Sequence, residues 1–239
     1  MSKPQTEWKV LPHGKLTAIE DDILTVVGDI PMPVGNMKRR MTVVRLRDGR
    51  LVIFSAVALG EEEMRVLEDF GEPAFLIVPN DHHRLDSKIW KDRYPAIQVI
   101  TPEGAREKVQ KVVTVDATHV DFNDPGVTLV TVPGMRGHEA ALEIRRPNGT
   151  TLILNDVVGN MRNTSGFGGW LLRRMGFAGE KPHVPFPIKM AMIRDKGALA
   201  QQLRRWADLP ALKRIIVSHG SAIEDNPRGV LRDLAVSLE

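Results

Sequence analysis

Ala74-Phe75-Leu76-Ile77-Val78 is an unbroken apolar run closed by a proline at each end, Pro73 and Pro79. A strand with one wet face alternates apolar and polar residues, so a run without alternation belongs to a strand covered on both sides. That requirement points to stacked layers, with sheets inside and helices outside. Further apolar runs follow at Val127 to Val132, Ala140 to Ile144, Leu152 to Leu154 and Arg214 to Val217. Thr42 to Leu46 and Leu51 to Phe54 flank Asp48-Gly49, a hairpin turn, and Asn148-Gly149 joins two of the later runs in the same way. Helical spacing is equally clear. Glu61 to Phe70 sets Met64, Leu67 and Phe70 on one face, with acids in the first turn and Gly71 as a stop. Lys196 to Asp208 aligns Leu199, Leu203 and Trp206, and Asn226-Pro227 opens a last helix.

With 42% hydrophobic residues over 239 positions, the chain can bury a core without covalent staples. It has no cysteine, which excludes disulfides, thiolate metal sites and cysteine nucleophiles. Any metal must therefore be held by nitrogen and oxygen, from seven histidines and the carboxylates. Thirty-three basic residues against 30 acidic ones leave a net charge of +3, which does not call for nucleic acid. The one dense basic run, Lys38, Arg39, Arg40, Arg45, Arg47 and Arg50, reads as a solvated face, with an anion contact as the alternative. No apolar stretch approaches the ~20 residues of a membrane span. Met1 to Gln5 lacks the apolar core of a signal peptide. The expectation is a cytoplasmic protein with no membrane partner and a small-molecule substrate or ligand.

No repeat and no linker divides the chain, so 1–239 reads as one domain. Residues 159–195 break the rhythm with clustered glycines and prolines around Trp170-Leu171-Leu172-Arg173-Arg174-Met175, and read as an insertion or lid. Packing of Trp170, Leu171 and Met175 on the core, or a contact in a homo-oligomer, are the other readings of that segment. A phosphate-binding glycine loop and a nucleophile elbow are both absent from the sequence. Ser55 and Ser218 have no base that the sequence places beside them. Tyr94 and four tryptophans make no stacking ladder for single-stranded nucleic acid.

What remains is a set of polar residues at the ends of apolar strands. After Val78 come Asn80, His82, His83 and Asp86. After Val132 comes Pro133-Gly134-Met135-Arg136-Gly137-His138, after Leu154 comes Asn155-Asp156, and after Val217 comes Ser218-His219-Gly220. C-terminal ends of buried strands converge on one edge of an α/β layer, where sites are built. Imidazole and carboxylate suit zinc, iron or manganese.

In this order and spacing the chain resembles the metallo-β-lactamase superfamily, from about Ile23 to Gly220. The hairpin is Met41 to Phe54, and the metal loop H-x-H-x-D-H falls on Asn80 to Leu85. The Pro-Gly-His loop falls on Pro133 to His138, the strand-end aspartate is Asp156, and the late His-Gly is His219-Gly220. The resemblance implies an α+β fold, a four-layer αββα sandwich of two mixed β-sheets with helices on the outer faces. It also implies a metal-dependent hydrolase using a metal-bound hydroxide on an ester, lactone, thioester or phosphodiester. Asp156 and His219 would be its catalytic residues. Departures from the pattern are as specific as the matches. Arg84 and Leu85 stand where an aspartate and a histidine belong, and Met135 stands where the Pro-Gly-His histidine belongs. A guanidinium has no lone pair to offer a metal.

Three readings follow. In one, a single zinc, iron or manganese ion is held by His82, Asp156 and His219, with His138, His83 or Asp86 completing the shell. Asp86 enters this set because it lies four residues from His82, one helical turn away. In the second, there is no metal, and Arg84 pairs with Asp156 in a non-catalytic binding or structural module. In the third, the histidines only cap strand ends.

Overall fold

The Asp48-Gly49 turn organises the first half of the chain. In the computed structural model, which describes residues 3–31, 36–161, 166–174 and 176–239, it joins β3 (Asn36–Arg45) to β4 (Arg50–Phe54) antiparallel, with Thr42 opposite Phe54 and Arg45 opposite Leu51. β2 (Ile23–Pro31) and β1 (Thr17–Glu20) extend the sheet antiparallel on one side of this pair. β5 (Glu72–Ile77) and β6 (Gln98–Ile100) extend it in parallel on the other. Parallel neighbours need crossovers. α1 (Glu61–Phe70) supplies the first and α2 (Ser87–Arg93) the second, and α3 (Glu103–Gln110) follows β6. The result is a mixed six-stranded sheet in the order β1 to β6.

Met64 and Leu67 of α1, Trp90 of α2 and Val109 of α3 pack with Leu51, Ile53, Leu76 and Val99 in one apolar cluster. Leu76 and Val78 point into this cluster, while Phe75 and Ile77, of opposite pleat, are buried as well. Both faces of the Ala74–Val78 strand are covered, as its composition demands. Members of the basic run answer groups in their own half, with Lys38 and Arg47 still largely in water. Lys38 pairs with Asp29, Arg47 with Asp124 and Arg50 with Asp48, and the Arg45 guanidinium lies 4.4 Å from the centre of the Phe70 ring.

The structure divides into two compact units, Met1–Asp124 and Pro125–Glu239. The second holds a four-stranded mixed sheet. β7 (Val127–Thr131), β8 (Ala140–Arg146) and β9 (Gly149–Leu154) run antiparallel in turn, and β10 (Leu212–Val217) lies parallel to β9. Its helices are α4 (Gly166–Arg174), α5 (Phe186–Ala191), α6 (Lys196–Ala207) and α7 (Pro227–Val236). Asp195 caps α6 by accepting from the Ala198 amide, and Asn226 caps α7 through the Gly229 amide with Pro227 in the first turn. Leu199, Leu203 and Trp206 are buried with Leu152, Leu154, Ile215 and Leu231. The Trp206 ring nitrogen donates to the buried carboxylate of Glu143 at 3.0 Å, which Arg145 also holds.

Residues 162–165 and Met175, within the expected insertion, lie outside the described residues. Trp170 does not pack on the core as one reading of the sequence has it, being 54% exposed on α4.

One buried ion pair ties β3 to the start of α2. Arg39 donates to the Asp86 carboxylate, which also accepts from the Ala58 amide at 2.9 Å and the Gln5 side chain at 2.7 Å. Both charged side chains are almost fully buried. Removing the cation leaves a buried carboxylate without its counter-charge, a change that costs about 3–5 kcal/mol. The urea midpoint of Arg39→Ala should fall accordingly, and Arg39→Met combined with Asp86→Asn should recover most of the loss. A parent-like midpoint for Arg39→Ala would show that the pair contributes nothing.

Candidate metal centre

Parallel pairing of β9 with β10 sets Leu154 beside Val217. Asp156 and His219 each lie two residues further on, so the same register that joins the strands carries a carboxylate and an imidazole to one end of the sheet. His219 Nε2 lies 3.3 Å from Asp156 Oδ1, and both side chains are largely withdrawn from water. The Asp156 amide donates to Oε1 of Glu139 at 2.7 Å, and the Glu139 side chain is fully buried. Next to it, Asn155 is also fully buried, and neither its side-chain oxygen nor its nitrogen finds a partner among the described residues. Unpaired buried amides are rare in folded proteins and cluster where a structure serves something other than its own packing.

The His219 turn depends on Gly220. Its φ of +115° suits glycine, and a Cβ there would lie 2.1 Å from the Asn160 carbonyl oxygen. Asn160 donates its amide to the His219 carbonyl at 3.0 Å and its side chain to the Ser221 carbonyl at 2.8 Å. The chain leaving β9 therefore clasps the loop that carries His219.

In the first unit, the loop after β5 folds around Asn80. This buried side chain accepts the amides of His82 at 2.9 Å and His83 at 3.1 Å, which closes an Asx-type turn. The turn sends neighbouring histidines to different surroundings. His83 Nδ1 lies 2.8 Å from Ser55 Oγ. Ser55 follows the last residue of β4 and holds a left-handed backbone, φ +58°. His82 is more exposed and lies 3.7 Å from Asp81, which is buried and paired with Lys108.

The fold can now be matched against solved structures. The chain superposes on the metallo-β-lactamase FIM-1 from Pseudomonas aeruginosa, in its mono-zinc form, with a TM-score of 0.61 at 12% identity, covering 96% of this chain and 97% of that one. A metallo-β-lactamase from Hirschia baltica gives a TM-score of 0.62 at 8% identity, covering 92% and 97%. This chain has the metallo-β-lactamase fold. A flavo di-iron protein variant from Thermotoga maritima matches at a TM-score of 0.62 and 12% identity, where the chain covers 96% of itself and 63% of that protein. By sequence, no family model and no curated protein matches the chain.

Within this fold the expected ligands fare differently. Asp156 and His219 come together as their strand-end positions imply. His138 sits in the β7–β8 loop with its amide bonded to the Met135 carbonyl, and it is not gathered with that pair among the described residues. Met135, which stands where the resemblance implies a histidine, is packed into the core of the second unit. Asp86 is committed to Arg39, Ala58 and Gln5, because a carboxylate in the dry interior requires a cation and donors. Arg84 donates to the Lys108 carbonyl within its own unit, and the partner found beside Asp156 is His219. Sequence reasoning left Ser55 without a base and gave His83 only as one of three residues completing a shell, whereas the structure sets the two side chains 2.8 Å apart. The chemistry of Asp156 and His219, one hard oxygen and one imidazole nitrogen held together by two strands, fits a divalent transition metal.

Gly220→Ala drives a methyl group into the Asn160 backbone and into an unfavourable φ, at a cost of about 1–3 kcal/mol. Thermal unfolding of Gly220→Ala should show a lowered midpoint, while Ser221→Ala, which keeps the same backbone bonds, should match the parent. Equal midpoints for all three proteins would mean the His219 loop has slack.

Proposed function

We propose that this protein is a single-metal hydrolase of the metallo-β-lactamase fold, with Asp156 and His219 among the ligands of a zinc, iron or manganese ion. The observation that carries the reading is the 3.3 Å approach of His219 to Asp156, set by strand register. When bound, the metal supplies Lewis acidity, polarising a substrate oxygen and lowering the pKa of a water molecule to near neutrality.

The chain's own residues supply position. Glu139 holds the Asp156 amide, which fixes the strand end that presents the carboxylate. The clasp from Asn160 holds the His219 carbonyl and restricts the imidazole. The substrate is a small molecule with a hydrolysable ester, lactone, thioester or phosphodiester bond.

Protein purified without chelators should contain about one transition metal ion per chain. Asp156→Ala and His219→Ala should each lower that content strongly. Added metal at about a hundredfold over its dissociation constant should stabilise the parent by about 2.7 kcal/mol. Metal-free protein whose unfolding is indifferent both to EDTA and to added zinc would overturn the proposal.

A further inference from the structure

Among the described residues, the large exposed apolar side chains other than valine are Trp170, Phe186 and Met190, and all belong to α4 and α5. Trp170 is 54% exposed, Phe186 62% and Met190 66%. Monomeric proteins do not usually leave such residues together in water without a use. They are joined by structure as well as by sequence. Trp170, Arg173 and Arg174 occupy positions i, i+3 and i+4 of α4, and Phe186 and Met190 are four apart on α5, so each set shares a helix face. The two helices meet at Gly176, where a Cβ would lie 2.7 Å from that of Phe186 and where the Phe186 amide donates to the Gly176 carbonyl at 3.2 Å. Beside this junction opens a shallow depression of about 340 Å³, lined in part by Ala178, Lys181, Pro182, Val184 and Phe186.

Charge decides what covers the surface. From Gly166 to Arg194 the chain carries Arg173, Arg174, Lys181, Lys189 and Arg194 against Glu180 alone. Lys189 answers a neutral group, the Ser237 carbonyl at 3.0 Å, and so keeps its positive charge in the balance. A second copy of the chain meeting this surface across a two-fold axis would bring the same cations face to face. The complementary occupant is anionic and apolar at once. Tryptophan and phenylalanine interleaved with arginine and lysine on short surface helices are the composition that settles into the headgroup layer of a bilayer. The rings there reach the acyl boundary while the cations meet phosphates.

We propose that α4 and α5 form a docking surface for an anionic phospholipid bilayer. Such docking runs against the expectation, drawn from the lack of a long apolar segment, that the protein has no membrane partner. It is independent of the metal assignment.

Co-sedimentation of the full chain with vesicles tests it. Vesicles of phosphatidylcholine containing about one-third phosphatidylglycerol should bind the protein, vesicles of pure phosphatidylcholine should not, and added salt should weaken the binding. Phe186→Ser with Met190→Ser, and separately Arg173→Glu with Arg174→Glu, should each reduce binding by about tenfold or more. Thermal unfolding should confirm that both variants are folded, and Trp170→Ala provides a milder third variant. Failure of the parent to bind phosphatidylglycerol vesicles at low salt overturns the proposal. So does retained binding by the serine variant, which would reduce the effect to general adsorption of cations. A dimer of the parent that the serine variant dissociates, without vesicle binding, would assign the surface to a second copy instead.

Discussion

Parallel strands deliver their residues in step, and the β9–β10 pair is the contact on which the rest of this molecule turns. With Leu154 held beside Val217, Asp156 and His219 must leave the sheet together. Neither the position nor the closeness of the two side chains needs a special loop. Around them the chain adds restraint: Glu139 beneath the Asp156 amide, Asn160 on the His219 carbonyl, and a glycine where nothing larger fits. Both residues stand two positions beyond strand ends rather than within long loops.

The loop after β5 tells a different story. Its acidic residues face inward, yet they serve the fold. Asp86 neutralises Arg39, and Asp81 neutralises Lys108. Each carboxylate is buried with a cation because an unpaired one could not remain charged there. The same loop keeps one histidine, His83, turned toward Ser55, while His82 faces water.

Much of the architecture was legible beforehand. The unbroken apolar run of Ala74 to Val78, the Asp48-Gly49 and Asn148-Gly149 turns and the helical spacing of Met64 and Leu67 or Leu199 and Trp206 each became what local rules demand. The same holds for Asp156 and His219, since strand-end positions follow from strand boundaries. His83, Asp86 and Arg84 could not be resolved in that way. Their roles depend on partners 28, 47 and 24 residues distant, namely Ser55, Arg39 and Lys108. No local pattern encodes such distant pairings.

By itself, the sequence determined the periodicities, and with them the strands, the helices and the carboxylate and histidine at strand ends, while the two mixed sheets were what the family resemblance implied. These follow from which residues avoid water and which backbones can turn, properties that act over a few neighbours. Tertiary structure decided which polar groups in the loops are consumed by the fold and which remain to do chemistry. It also decided that Trp170, Phe186 and Met190 stay in contact with solvent. Those outcomes rest on burial and on pairing of charges across long stretches of chain, and both quantities exist only once the chain has folded.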